Sequence, residues 1–122
     1  MVTPQQASGT FGEALARYYL EGVGLAFVAA NWSCRLGEID LIMRDGSTLV
    51  FVEVRLRAPT DFGEGLETVA RDKQRRLIRA ARFYLQAVDW SGDARFDVVS
   101  IEAGAAGQEP IVEHIPYAFD EY

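Results

Sequence analysis

Two acidic residues stand in the middle of strongly apolar segments of this 122-residue sequence. Asp40 lies within Glu38 to Met43, and Glu53 lies within Thr48 to Leu56. A carboxylate among such residues costs free energy unless a hydrogen bond or a cation compensates for it. Carboxylates that converge repel each other unless they share a proton or hold a cation. Oxygen ligands without a Cys or His cluster suit Mg²⁺ or Mn²⁺ rather than zinc.

A hard divalent ion beside a positive side chain is the arrangement that phosphodiester hydrolysis needs. The ion activates water and neutralises the phosphate, and the cation stabilises developing charge. Arg55, two residues after Glu53, is the nearest cation in the sequence. The ordinary alternative is a structural ion pair of Asp40 and Glu53 with Arg55 or a neighbour, because structural networks also cluster acids.

The turn between the two acidic strands decides whether their carboxylates meet. Residues 44–47 contain Asp-Gly, which is a strong hairpin signal between two apolar runs. With Asp-Gly as a two-residue loop, Asp40 lies opposite Phe51 and Glu38 lies opposite Glu53, and a four-residue loop gives the same register. Asp40 and Glu53 are then diagonal neighbours on one face of the sheet. A three-residue loop puts Asp40 on the opposite face from Glu53, so a shared site requires an even loop.

The other elements must hold these strands in place. Helical spacing predicts helices at Gly9 to Gly22 and at about Leu66 to Val88. Apolar, β-leaning runs predict strands at Leu25 to Trp32, Glu38 to Met43, Thr48 to Leu56, Arg95 to Ile101 and Ile111 to Ile115. Residues 1–8 are predicted to be a flexible N-terminus, Ala58 to Gly65 a loop and residues 116–122 an acidic tail. The predicted order is helix, three strands, helix and strand, with a short edge strand at the end.

Length and composition are typical of one folded domain, predicted here to span residues 1–122. Hydrophobic residues make up 49% and charged residues 25% of the chain, and no apolar run reaches the roughly 20 residues that cross a bilayer. The polar N-terminus lacks the pattern of a signal peptide. The single cysteine, Cys34, cannot form an intramolecular disulfide. We therefore expect a cytoplasmic protein with no membrane partner.

The net charge of −6 hides a strong polarity along the chain. Six cations lie between Arg71 and Arg82 against one acid, whereas no Lys or Arg follows Arg95. Local potential governs binding more than net charge does, so the basic helix is a candidate phosphate-contacting surface. The alternative is a solvated helix face. The candidate nucleic-acid-binding residues are Arg57, Arg71, Lys73, Arg75, Arg79 and Arg82.

The acidic strands resemble a known nuclease signature. Asp40 followed by Glu53-Val54-Arg55 resembles the acid…acid-x-Lys pattern of restriction-endonuclease-like nucleases, with arginine where lysine is usual. The runs GEIDLI at 37–42 and VFVEV at 50–54 are similar to the pattern of the bacterial YraN-like family. Further similarities are Gly12-Glu13, Lys73-Gln74 and Arg95 to Val99, so the resemblance covers Gly9 to Ile101.

This resemblance implies an α/β fold with a restriction-endonuclease-like αβββαβ core, in which helices flank a central mixed sheet. It implies that Asp40 and Glu53 hold Mg²⁺ or Mn²⁺, with the Val54 carbonyl as a third ligand. Glu13 would be an auxiliary acid that reaches the metal through water, as in the related archaeal Holliday-junction resolvases. Lys73 or Gln74 would line the site from the long helix. A homodimer would suit an enzyme that cuts DNA junctions.

The arginine at position 55 leaves three functions open. Arginine neutralises phosphate charge but cannot give up its proton, and Lys73, the only lysine of the chain, could take over part of the usual role. The first function is a metal-dependent DNA endonuclease with Arg55 stabilising charge. The second is a nucleic-acid-binding module without catalysis. The third is a protein-interaction domain that uses the acidic tail from Glu113 to Tyr122.

Several other residues are expected to have structural roles only. Asp97 is expected to be an ordinary strand acid, and the lone His114 shows no partner pattern in the sequence. Six aromatic residues have the spacing of core residues and are expected to be buried: Phe11, Tyr18, Tyr19, Phe51, Phe83 and Tyr84.

Overall fold

The computed structural model describes residues 4–57 and 71–120, with the backbone alone for 4–10. In chain order the elements are α1 (Pro4–Gly22), β1 (Ala26–Cys34), β2 (Gly37–Asp45), β3 (Thr48–Arg57), α2 (Arg71–Ala87), β4 (Asp93–Glu102) and β5 (Ile111–Phe119). This order confirms the predicted α/β class and the sequence of helix, three strands, helix and strand. The additional edge strand is also present.

The five strands form one mixed sheet in the order β1-β2-β3-β4-β5. β1, β2 and β3 are successively antiparallel, β3 and β4 are parallel, and β5 returns antiparallel to β4. β3 is the central strand, which agrees with its nearly continuous run of apolar residues, because a strand covered on both faces must be apolar on both.

The two helices cover opposite faces of this sheet. Alternate residues of β3 divide between two apolar clusters, so that Val50 and Val52 belong to one and Leu49 and Phe51 to the other. Ala16 and Leu20 of α1 pack in the first cluster, and α2 packs in the second through Leu77, Ile78, Ala80, Ala81 and Tyr84. Neither helix, as far as the described residues extend, is long and apolar enough to span a membrane.

Two element boundaries differ markedly from the prediction. α1 begins at Pro4 rather than at Gly9, and proline is well suited to a first helical position. β5 continues through Phe119, so residues 116–119 lie in a strand rather than in a tail. An edge strand at a bulge tolerates the proline at position 116. The predicted loop from Ala58 to Gly65, and the predicted start of the second helix at Leu66, lie outside the described residues.

The hairpin between β2 and β3 has an even loop but a different register. Asp45 pairs with Thr48, which leaves Gly46 and Ser47 as the two-residue loop. Gly46 has a φ of 59°, and tight hairpin turns need a positive φ at the first loop position, which glycine adopts without strain. The predicted positions of Asp40 opposite Phe51 and Glu38 opposite Glu53 are therefore wrong by two residues, since Ile42 faces Phe51. The even loop keeps Asp40 and Glu53 on one face, as predicted.

The start of β2 lies very close to α2, which predicts a sharp effect of a single methyl group. A Cβ at Gly37 would lie 3.0 Å from the backbone oxygen of Arg76. We expect Gly37→Ala to lower the free energy of unfolding by about 1–3 kcal/mol, because the helix must move away from the strand. Urea denaturation measures this loss. The matched control is Gly22→Ala, whose Cβ would meet nothing within 4 Å; equal stability of the two variants would contradict the prediction.

Candidate functional site

The site begins where β2 and β3 separate. Their last paired residues are Leu41 and Val52, and immediately beyond them Asp40 and Glu53 stand on neighbouring strands. The Val54 amide donates a hydrogen bond of 2.9 Å to Oδ2 of Asp40. The Asp40 carboxylate thus takes the place of a ladder carbonyl and links the two strands at the point where they part.

Glu53 is held from the opposite side by the second helix. Its side chain is buried, with 6% exposure, and forms an ion pair with the ammonium of Lys73, whose side chain is 52% exposed. Strand alternation puts Glu53 on the same face as Phe51, which α2 covers. Lys73 lies at the start of the described part of α2, so the helix brings a cation directly over the acidic strand.

Burial and the charge of Glu53 change the ionisation of Asp40. Burial raises the pKa of Asp40 to about 7, and the negative charge of Glu53 contributes to this rise, whereas the Val54 hydrogen bond and the charge of Lys73 oppose it. Glu53 is buried and Asp40 is half-buried. Two carboxylates so placed on neighbouring strands are stable together only if a proton or a cation lies with them.

A cavity of about 420 Å³ opens onto these carboxylates. Its described lining residues are Gly37, Glu38, Asp40, Glu53, Val54, Lys73, Arg76 and Leu77. Arg76 was not predicted as a site residue, although its position three residues after Lys73 puts the two on neighbouring parts of one helix surface. The cavity therefore combines acidic residues from the strands with cations from α2.

Two other predicted catalytic residues lie outside this lining. Arg55 is on β3 opposite Ser100 of β4, and Gln74 is half-buried on α2; neither is among the described residues that line the cavity. Arg55 shares the face of Glu53, but two residues along a strand separate their Cα atoms by about 7 Å. Of the two α2 residues that the resemblance offered, Lys73 is the one at the cavity.

Glu13 approaches the acidic pair from the other helix. It is half-buried in a groove between α1 and β1 that also contains Asn31. Burial raises the pKa of Glu13, a hydrogen bond with Asn31 opposes this rise, and the charges of Asp40 and Glu38 add to it. Glu13 is thus electrostatically coupled to the site without lining the cavity. Its predicted contact with a metal through water stays a prediction.

The predicted basic surface is present on α2. Arg71, Arg75, Arg79 and Arg82 are exposed, and Arg57 is half-buried at the end of β3. Arg75 forms an exposed ion pair of 3.4 Å with Asp72. Such a pair contributes little to stability. These positions are suitable for contacts with phosphates, and nucleic-acid binding by them stays a prediction.

The donor set suits a hard ion with few protein ligands. Within residues 4–57 and 71–120, no group of three or more His, Cys, Asp or Glu side chains is arranged to hold a metal ion. Asp40 and Glu53 form a site of two carboxylates. Mg²⁺ keeps several waters and is commonly bound by one or two carboxylates together with substrate phosphates, so this pair fits Mg²⁺ or Mn²⁺. A metal ligand role for the Val54 carbonyl stays a prediction.

Asp97 forms a second buried acidic centre, which the sequence did not reveal. It is fully buried and accepts hydrogen bonds from Arg95 Nε and Nη2 at 3.1 and 3.2 Å. It also accepts one from the Tyr117 amide at 3.2 Å and lies 2.7 Å from Nε2 of His114. Arg95 and Asp97 lie two apart on one strand face, a usable signal, but nothing in the sequence connects His114 or Tyr117 to them. His114 therefore has a structural partner.

The raised pKa of Asp40 predicts how stability depends on pH. The pKa moves from 3.8 to about 7 on folding, so between these pH values the folded chain binds more protons than the unfolded chain. The free energy of unfolding therefore decreases as the pH rises from about 4 to 7. Asp40→Asn keeps an acceptor for the Val54 amide without the charge. At pH 8, without divalent metal, we expect this variant to be more stable by on the order of 1–3 kcal/mol, because one pKa unit corresponds to about 1.4 kcal/mol.

Urea denaturation in EDTA at pH 4 and pH 8 measures this difference. The advantage of Asp40→Asn should be present at pH 8 and nearly absent at pH 4. Asp72→Asn, at an exposed position, serves as the control for loss of an acid without burial. A variant that is less stable than wild type at both pH values would show that the carboxylate itself is needed for the fold.

Comparison with known proteins identifies the family. The model of "Uncharacterised protein family UPF0102" matches residues 12–101. A UPF0102 protein of Stutzerimonas stutzeri is 47% identical over 121 residues, which cover 98% of this chain and 99% of the relative. One of Legionella pneumophila subsp. pneumophila is 44% identical over 117 residues (94% and 96%), and one of Nitrosospira multiformis is 46% identical over 112 residues (92% of each). UPF0102 is the YraN-like family that was inferred from the acidic strands, so that inference is confirmed: this chain belongs to the UPF0102 family.

Proposed function

We propose that this chain is a divalent-metal-dependent nuclease that hydrolyses DNA at the cavity between β2, β3 and α2. The observation that carries this proposal is the meeting of Asp40, Glu53 and Lys73 in one cavity. Two adjacent carboxylates and an ammonium group supply the charges that phosphodiester hydrolysis needs. The resemblance of the acidic strands to the nuclease signature supports the same reaction.

Each residue of the cavity has a distinct part in this reaction. Asp40 and Glu53 would hold the Mg²⁺ or Mn²⁺ ion, which when bound supplies Lewis acidity and lowers the pKa of a water. The Val54 hydrogen bond fixes the orientation of Asp40, and Lys73 fixes that of Glu53. Lys73 also presents its remaining N–H donors to a phosphate oxygen, where they stabilise the charge that develops.

Lys73 takes the electrostatic role that the resemblance gives to a lysine two residues after the second acid. A guanidinium at position 55 cannot give up a proton and is bulkier than an ammonium group. Lys73 contacts Glu53 directly, whereas Arg55 does not line the cavity. Arg76, on the cavity wall, is placed to contact a neighbouring phosphate. The catalytic cation therefore comes from the helix rather than from the strand.

The exposed arginines of α2 support DNA as the substrate. Contacts between arginine and phosphate are independent of base sequence and weaken as salt displaces them. The stripe of Arg71, Arg75, Arg79 and Arg82 runs along the helix that carries Lys73. The likeness to junction resolvases makes four-way DNA a substrate to test beside simpler ones.

A non-catalytic binding module is the second candidate, and one observation favours it. The Asp40 carboxylate already has a structural partner in the Val54 amide, and Glu53 already has a cation in Lys73. A protein that had lost catalysis but kept its DNA-binding surface would retain both interactions. Such a protein would bind DNA with strong salt dependence and without a metal.

Cleavage assays separate these two candidates. Single-stranded, duplex, flapped and four-way DNA are incubated with wild type and variants in Mg²⁺ or Mn²⁺. We expect Asp40→Asn and Lys73→Ala to lower the rate by about 100-fold or more, as losses of charge stabilisation at other enzymes do. We expect Arg55→Lys to change it less than tenfold. The control is Arg79→Ala, on the exposed helix face, which should affect binding at higher salt rather than the maximal rate.

The outcomes of these assays lead to different conclusions. Unchanged cleavage by Lys73→Ala would exclude Lys73 from the reaction. Cleavage by Arg55→Lys alone would mark wild type as a nuclease disabled at position 55. Salt-sensitive DNA binding without cleavage by any form would replace the nuclease by the binding module.

Metal binding is testable without any activity. The melting temperature of wild type should rise with Mn²⁺, since a ligand at tenfold its Kd stabilises the folded state by about 1.4 kcal/mol. Asp40→Asn and Glu53→Gln should show little or no rise, because each loses one of two charged ligands. Asp72→Asn, an exposed acid, should respond like wild type. An equal rise in all four proteins would mean that Mn²⁺ binds elsewhere.

A further inference from the structure

A second and smaller cavity lies at the other end of α2. Its volume is about 210 Å³, and it lies between the C-terminal half of the helix and the beginning of β4 beside β5. Aromatic side chains and two arginines contribute to its wall: Phe51, Phe96, Tyr117, Phe119, Arg82 and Arg95. We call it the aromatic pocket.

The backbone at the mouth of this pocket is irregular. Phe96 of β4 faces Phe119, but Val98 faces Ile115. Three residues of β5, at 116–118, therefore lie opposite the single residue Asp97. Bulges of this kind re-aim side chains, and they are frequent beside functional sites.

Tyr117 is held in this bulge by buried charges. Its φ is 53°, a left-handed conformation that a bulky residue keeps only when its surroundings enforce it. The fully buried Asp97 accepts the hydrogen bond of its amide, and the guanidinium of Arg95 lies 4.9 Å from its ring. Tyr117 is nevertheless 68% exposed. A strained backbone and a buried ion network thus present an aromatic ring to the solvent.

The pocket has the chemistry that binds a flat heteroaromatic ring. Phe51 and Phe96 are buried in the core, and the half-buried ring of Phe119 stacks on Phe96 with the centroids 5.0 Å apart. Phe119 and the exposed Tyr117 are therefore the rings that a base can reach, and unpaired bases stack on aromatic rings and on arginine planes. Arg82 and Asp120 add hydrogen-bond donors and acceptors to the wall. The volume is below the roughly 300 Å³ at which pockets for larger ligands begin, so it suits a single base.

The pocket and the acidic pair lie near the two ends of α2, on the face of the sheet that this helix covers. Phe51 of the pocket and Glu53 of the site are two residues apart on one face of β3, about 7 Å along the strand. Arg82 of the pocket ends the arginine stripe that begins at Arg71, about 17 Å away along the helix.

We propose that the aromatic pocket binds one unpaired base of a DNA strand whose backbone follows the arginine stripe to the acidic pair. This inference rests on the proposed function and names its substrate class, namely DNA with unpaired bases. A fully paired duplex cannot place a base in the pocket unless the base leaves the stack, which costs a few kcal/mol. Binding should therefore favour single-stranded or branched DNA over duplex.

The test measures base binding without metal and without cleavage. A single-stranded oligonucleotide carries one 2-aminopurine, a base whose fluorescence is quenched when it stacks, and a matched oligonucleotide has an abasic site at that position. We expect wild type to quench the fluorescence and to bind the complete strand about tenfold more tightly than the abasic one, consistent with one stacked base.

A pocket-filling variant assigns this effect to the pocket. Ala94 is exposed on β4 and lines the pocket, so Ala94→Trp fills it without removing a core contact. The control, Ala106→Trp, adds the same ring in an exposed turn remote from both cavities. We expect Ala94→Trp to lose both the quenching and the tenfold preference, and Ala106→Trp to keep them.

Equal affinity of wild type for the two oligonucleotides would overturn the proposal, as would quenching that Ala94→Trp leaves unchanged. Absence of any DNA binding would overturn it together with the proposed function. In the other outcomes, the pocket proposal and the proposed nuclease function fail separately. Base-dependent binding without cleavage in Mn²⁺ would retain the pocket and reject hydrolysis. Cleavage without quenching, and with a preference for duplex, would retain hydrolysis and reject the pocket.

Discussion

The hydrogen bond from the Val54 amide to Asp40 is the interaction on which this site depends. β2 and β3 stop pairing at Leu41 and Val52, and an amide at the parting of two buried strands would otherwise lack a partner. A carboxylate supplies that partner. It also brings a charge into the sheet, beside the second carboxylate of Glu53. Asp40 thus supplies the missing acceptor for the Val54 amide. It also puts a second negative charge beside Glu53, and a bound cation would compensate for that charge.

The buried Asp97 and the half-buried Asp40 differ in how far other groups of the chain compensate for their charges. The Asp97 carboxylate forms hydrogen bonds with Arg95, His114 and the Tyr117 amide. These groups of the chain compensate for the cost of burying its charge. Asp40 receives one amide hydrogen bond, and its pKa rises to about 7 because burial and Glu53 outweigh that bond and the more distant Lys73. Asp97 organises the edge of the sheet, whereas the charge of the acidic pair is only partly compensated by the described residues.

Much of this arrangement could be predicted from local patterns, and the failures have physical causes. Strand alternation and an even loop correctly put Asp40 and Glu53 on one face, but the register depended on which loop residue takes a positive φ, and Gly46 does. Apolar spacing correctly predicted burial for Phe51 and Tyr84. It was wrong for four aromatic residues that are exposed, because periodicity locates an apolar stripe without showing what covers it; these are Phe11, Tyr18, Tyr19 and Phe83. The Asp97 network joins distant strands, and no local spacing encodes such contacts.

The position of the Lys73 ammonium group follows from how closely helix and strand approach. Arg55 has the sequence position that the nuclease pattern assigns to a cation, but a strand fixes it about 7 Å beyond Glu53. Lys73 reaches Glu53 because α2 lies directly on the start of β2, where Gly37 leaves no room for a Cβ beside the Arg76 carbonyl. Lys73 is about one helical turn before Arg76. The close contact between Gly37 and the Arg76 carbonyl therefore also fixes how far the Lys73 ammonium group lies from the acidic pair. Gly37 and Lys73 thus both depend on the close approach of α2 to the start of β2.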